Sequence, residues 1–159
     1  MTNPSSNTNM AAVYFQATQA RFVIYANTDK KHLIFWVNST DQTPNPIQGT
    51  AGVANASPLA VTSVAGTSNG QPYLNLFLYY MDQNQALNRV TGRAQGSSIH
   101  WYKNEVPSAP NLLSSTLMAA TTTGGQNYVY YIPDGQSTFI PFVEAIQLDW
   151  FEDVGESAS

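Results

Sequence analysis

Apolar and polar positions alternate in short runs along most of this chain, the period of half-buried β-strands, and no long helical periodicity interrupts them. The most apolar runs are Phe22-Val23-Ile24-Tyr25, Phe77-Leu78-Tyr79-Tyr80 and Tyr128-Val129-Tyr130-Tyr131. They recur at a period of roughly 50 residues, which marks an internal repeat. Each follows a strand of smaller residues, Ala11-Ala12-Val13-Tyr14-Phe15, Leu59-Ala60-Val61-Thr62 and Leu117-Met118-Ala119-Ala120-Thr121. Each leads into a polar turn (Asn27 to Lys30, Asp82 to Gln85, Pro133 to Gln136) and a third segment starting near Leu33, Leu87 or Phe139. Weaker fourth segments lie around Ile47, around Trp101 and at Ala145 to Trp150. Four strands per repeat predict a β-propeller blade. Small first strands suit a crowded central axis, and bulky second strands fill the space between blades.

This pattern predicts an all-β chain with blades at 11–57, 58–113 and 114–151, a disordered amino-terminal tail at 1–10 and a polar tail at 152–159. An irregular β-sandwich also satisfies the alternation, but the repeat period favours the propeller. Three blades cannot close a ring, because the first and last would leave open edges and apolar flanks. A homodimer pooling its blades into a six-bladed ring is the expected assembly.

Composition narrows the function classes. Only 10% of residues are charged, while 43% are hydrophobic and 12% aromatic, which excludes a disordered chain. Six Lys and Arg against ten Asp and Glu give a net charge of -4. With no basic run to neutralise phosphates, no nucleic-acid partner is expected. No stretch approaches the ~18 apolar residues of a membrane helix, so no membrane partner is expected. The polar start lacks a signal peptide's apolar core, so a cytoplasmic location is expected. With no cysteine and with His32 and His100 in no metal-binding spacing, neither metal nor cofactor is expected. The glycine-rich pieces lack the spacing of a phosphate cradle.

Ser57-Pro58-Leu59-Ala60-Val61-Thr62, the strand ending Phe77-Leu78-Tyr79-Tyr80 and the turn Asp82-Gln83-Asn84-Gln85-Ala86-Leu87 together resemble one blade of the fungal fucose-specific lectins related to the Aleuria lectin. The other two repeats follow that template more loosely, and the likeness runs from Ala11 to Trp150. The resemblance implies a six-bladed propeller with sugar pockets between blades. Each pocket would be built from an arginine opening the second strand, a glutamate in the third, and an aromatic residue of a neighbouring blade. Here the arginine position falls on Phe22, Phe77 and Tyr128, and the glutamate position near Phe35, on Arg89, and near Ile140 and Pro141. A one-residue slip would put Arg21 at the first site, at the cost of turning that strand's side chains to the other face.

Without the clamp, buried sugar hydroxyls would lack partners. Pockets lined by Phe22, Phe35, Trp36, Phe77, Tyr79, Trp101, Tyr128 and Tyr130 would instead favour an apolar or aromatic small molecule. Fungal lectin-like propellers also resemble cycloaddition catalysts of natural-product pathways, which implies a cofactor-free cyclase with Arg89 and His100 as its chemical groups. Arg89 could hold an anionic or carbonyl oxygen, or be a surface arginine. His100 could donate a proton, or be structural. The alternative function is a carbohydrate-binding lectin of fucose-type or drifted specificity, and a third is a scaffold that binds nothing. His32 is expected to be solvated. Glu144, Asp149, Glu152 and Asp153 are expected to form a solvated edge, and the three tryptophans to pack between blades or stack on ligand.

Overall fold

The computed structural model describes residues 9–27, 32–37, 45–47, 50, 52–96 and 98–146, and among these every regular element is a β-strand. The first sheet contains β1 (Met10–Phe15), β2 (Ala20–Asn27), β3 (His32–Val37) and β4 (Asn45–Pro46). The second contains β5 (Leu59–Ser68), β6 (Gln71–Met81), β7 (Leu87–Gln95) and β8 (Ser98–Glu105), and the third β9 (Ala119–Thr123), β10 (Gln126–Tyr131) and β11 (Ile140–Ala145). All pairings are antiparallel between chain neighbours. In the third unit Ala145 ends the third strand, and the rest of the expected fourth segment, from 147 on, lies outside the described residues, as do the tails at 1–8 and 152–159. Met10, assigned above to the disordered tail, instead opens β1.

Strand register shows that the three sheets are copies of one template. Ile24 pairs with Phe35, Tyr79 with Arg89 and Tyr130 with Pro141, while Phe22 pairs with Val37, Phe77 with Thr91 and Tyr128 with Val143. Side chains alternate across a strand, so each blade has a front face, with Phe22 and Ile24, Phe77 and Tyr79, or Tyr128 and Tyr130. Its back face carries Val23 and Tyr25, Leu78 and Tyr80, or Val129 and Tyr131.

Two cores follow from stacking front on back. In the first seam, Phe22, Ile24, Leu33 and Phe35 of blade one meet Leu76, Leu78, Tyr80 and Val90 of blade two. In the second, Phe77, Tyr79, Met81 and Leu87 of blade two meet Val129 and Tyr131 of blade three. The small-residue first strands touch from blade to blade, β1 against β5 and β5 against β9. That is the inner ring expected from their composition.

The middle blade is longer than its neighbours. Counted from the equivalent residues Ile24, Tyr79 and Tyr130, β6 starts four residues earlier than β2 or β10, an overhang of about 13 Å at ~3.3 Å per residue. Its hairpin turns through Asn69 (φ 50°) and Gly70 (φ 75°), the left-handed pair that a two-residue turn requires.

Candidate functional site

Strand β7 places Arg89, Thr91 and Arg93 at alternate positions, hence on the front of blade two, in the second seam. Arg89 is buried, with 4% of its side chain exposed. Its Nη1 donates to Glu144 Oε2 of β11 at 2.5 Å, and its Nη2 pairs with Glu105 Oε2 of β8. The Tyr79 hydroxyl donates to the other Glu144 oxygen. Nearer the axis the Thr62 and Thr122 hydroxyls share a hydrogen bond of 2.7 Å, and Thr122 donates to Asn127 Oδ1 at 2.7 Å. One polar network thus ties blade two to blade three.

Burial raises the Tyr79 pKa, the charge and hydrogen bond of Glu144 raise it further, and Arg89 works against both. The folded chain keeps this phenolic proton where an unfolded tyrosine, near ~10, gives it up. A raised pKa means that the stability contributed is complete below about pH 10 and is lost as pH rises beyond it, at up to about 1.4 kcal/mol per pH unit. Urea unfolding of the wild type and Tyr79→Phe between about pH 9 and 11.5 should therefore show a shallower alkaline decline in the variant; parallel curves would contradict the network.

Beyond the network the seam opens toward the overhang of blade two. Asn75, Arg93 and His100 pair in a row across β6, β7 and β8. Arg93 Nε donates to Asn75 Oδ1 at 3.0 Å, and its guanidinium lies 4.6 Å from the centroid of the Tyr73 ring. The Tyr73 ring lies across Gly66, where a Cβ would come within 2.4 Å of it. His100 is exposed, its ring edge-on to Tyr102 at 4.8 Å. Here a guanidinium, an imidazole and two phenols share one face, and the buried Asn75 amide, 3% exposed, holds the guanidinium from beneath.

Most of the expected pocket walls are core. Phe22, Phe77 and Tyr79 have no exposed surface and Phe35 has 7%, because the next blade's back face covers them. Trp101 is half-buried against the first seam, edge-on to Phe35 at 5.5 Å, with Gly92 leaving room for its ring. It packs between blades, and so do the other buried aromatics expected to line a pocket. Trp36 stands in β3 opposite Val23. Tyr128 is half-buried and donates to Gln126 Oε1 at 2.9 Å, and Tyr130 is exposed.

Arg89 and His100 are not brought together: Arg89 pairs across the ladder with Glu105, His100 with Arg93. Arg89 is also no surface arginine, since its charge is neutralised inside the seam. Glu144 is likewise no solvated edge, while Asp149, Glu152 and Asp153 lie outside the described residues. His32 pairs with Asn27 at the start of β3. Among the described residues no three potential metal ligands cluster. Tyr73, Asn75, Arg93, Glu105 and Glu144 were not singled out from sequence as site residues; the alternation Arg89-Thr91-Arg93 was the available signal.

No family model matches the sequence. Two curated relatives, each named wall-associated proteinase, come from Coccidioides immitis (strain RS) and Coccidioides posadasii (strain RMSCC 757 / Silveira). They are 43% and 42% identical over 155 residues, which are 96% of this chain and 50% of each relative. The chain therefore spans about half the length of the curated relatives it matches. Among solved structures, the SapL1 lectin in complex with alpha methyl fucoside superposes with a TM-score of 0.57 at 16% identity, over 90% of this chain and 51% of that one. The Aleuria aurantia lectin, a six-bladed β-propeller with a fucose recognition mode of its own, gives 0.56 at 14%, over 91% and 49%. The fold is thus the β-propeller of the fungal fucose lectins, three blades of it in this chain.

Proposed function

We propose that the chain is a lectin-like carbohydrate-binding unit, three blades of a ring that a homodimer completes, with saccharide bound where the second seam opens. The observation that carries this reading is the face of Tyr73, Arg93 and His100, with Arg93 held by the buried Asn75. A planar guanidinium replaces the water on sugar hydroxyls, and the exposed His100 ring beside Tyr102 offers a platform to a sugar's C–H face. The fucoside-bound lectin of similar fold makes fucosides the first ligands to try. An apolar ligand, cyclised or not, has less support: Phe22, Phe35, Phe77, Tyr79 and Trp101, five of the aromatic side chains that would have held it, are packed inside the seams. Peptide hydrolysis, suggested by the relatives' name, needs a nucleophile beside a base; His100 has a tyrosine ring as its neighbour, and no described hydroxyl bonds to it.

A glycan array followed by titration calorimetry with α-methyl fucoside and the best array ligand tests the proposal. We expect a saccharide to bind, and Arg93→Ala to weaken it at least about tenfold, the worth of one charge-assisted hydrogen bond. Stabilisation by apolar ligands alone, with no glycan bound, would overturn it.

A further inference from the structure

Among the described residues the exposed large apolar side chains are Met10, Tyr14, Val106, Leu117, Tyr130, Phe139 and Val143. Apart from Val106, just beyond β8, they fall on two faces. Tyr130 and Val143 lie on the front of blade three, and Leu117 and Phe139, just before β9 and β11, stand where the same alternation continues. Met10 and Tyr14 lie on the back of blade one, beside a depression of about 300 Å³ lined by Ala12, Val13, Tyr14, Arg21, Phe22 and Val23. These are the faces left over when front stacks on back twice.

The same positions are covered in the internal seams. Tyr130 is 40% exposed, while its equivalents Ile24 and Tyr79 are fully buried; Met10 is 68% exposed, while its equivalent Leu59 is 7% exposed. One further front-on-back contact at each face would bury all six side chains. We infer that a second copy of this chain supplies it, the front of blade three in one copy meeting the back of blade one in the other, twice, around a two-fold axis. The six-bladed lectin on which this chain superposes is covered over 49% of its length, so a ring of that kind needs three more blades. A second copy carries both complementary faces, and the ring closes on itself.

Register names the residues that meet. In the second seam the Asn127 amide of the back face lies beside the Tyr79 hydroxyl. Arg21, next to Phe22, is the equivalent of Asn127, next to Tyr128. Arg21 of one copy therefore comes against Tyr130 of the other, a cation beside a phenol ring. Tyr14, the equivalent of Thr122, comes against Thr121, the equivalent of Thr62.

This inference specifies the closure included in the proposed function and needs no sugar, so the two can fail separately. Light scattering should give a mass about twice the 17.3 kDa of the chain. Tyr130→Arg, which sets two cations against each other, should give a monomer with an unchanged far-UV spectrum. Adding Arg21→Glu to Tyr130→Arg should restore the dimer by reversing the pair. Tyr14→Glu, on the opposite face, should independently give a monomer. A wild-type monomer at micromolar concentration, or a Tyr130→Arg dimer, would overturn the inference. A monomer that binds saccharide would sink the closure alone, and a dimer that binds none would sink the sugar reading alone.

Discussion

Arg89→Leu should lower the unfolding free energy by about 3–5 kcal/mol, because it strands the Glu144 carboxylate in a seam where that side chain is 12% exposed. Burying a carboxylate without its cation costs several kcal/mol, whereas removing charges together costs little. The triple variant Arg89→Leu, Glu144→Leu, Tyr79→Phe should therefore recover most of the loss. Glu105, more than a third exposed, can turn to solvent and needs no replacement. Denaturant titrations of the three proteins measure both effects. If Arg89→Leu cost less than about 1 kcal/mol, the guanidinium would be a surface group after all.

Phe77→Ala should cost a further about 3–5 kcal/mol, as a large aromatic removed from a closed core does. Phe77 is fully buried in the second seam, packed in the cluster that holds Val129 and Tyr131. The decisive comparison is with ligand affinity. At a temperature where the variant stays folded, saccharide affinity should be unchanged, since Phe77 has no face on the open end of the seam. A pocket-wall phenylalanine would behave the other way, with affinity lost and stability nearly kept.

The two ends of the second seam explain why the site was harder to read than the fold. Phe77 falls where the resemblance puts the clamp's arginine and Tyr79 is an expected pocket wall, and from the chain alone their aromatic character points equally to a wall of a pocket and to a core. Which it is depends on how closely the next blade approaches. Arg93 and Tyr73 went unremarked because their meeting depends on the overhang of one hairpin past its neighbours, a length set by the Asn69-Gly70 turn. From the chain alone Glu144 belongs to a solvated acidic edge; its partner is 55 residues away in sequence, and no local pattern announces such a pair.

Local chemistry, by contrast, settled the blade. Period-two alternation with a repeat of roughly 50 residues identified the strands, and the small residues of β1 and β5 marked the axis. Those properties depend on residues close together in the chain, where side-chain size and backbone preference act directly. Front-on-back stacking decided the rest: which aromatics are sealed, which arginine is neutralised and which remains accessible, and which two faces stay bare. Burial and ion pairing are set by distances between segments far apart in sequence, and those distances exist only once the blades have packed.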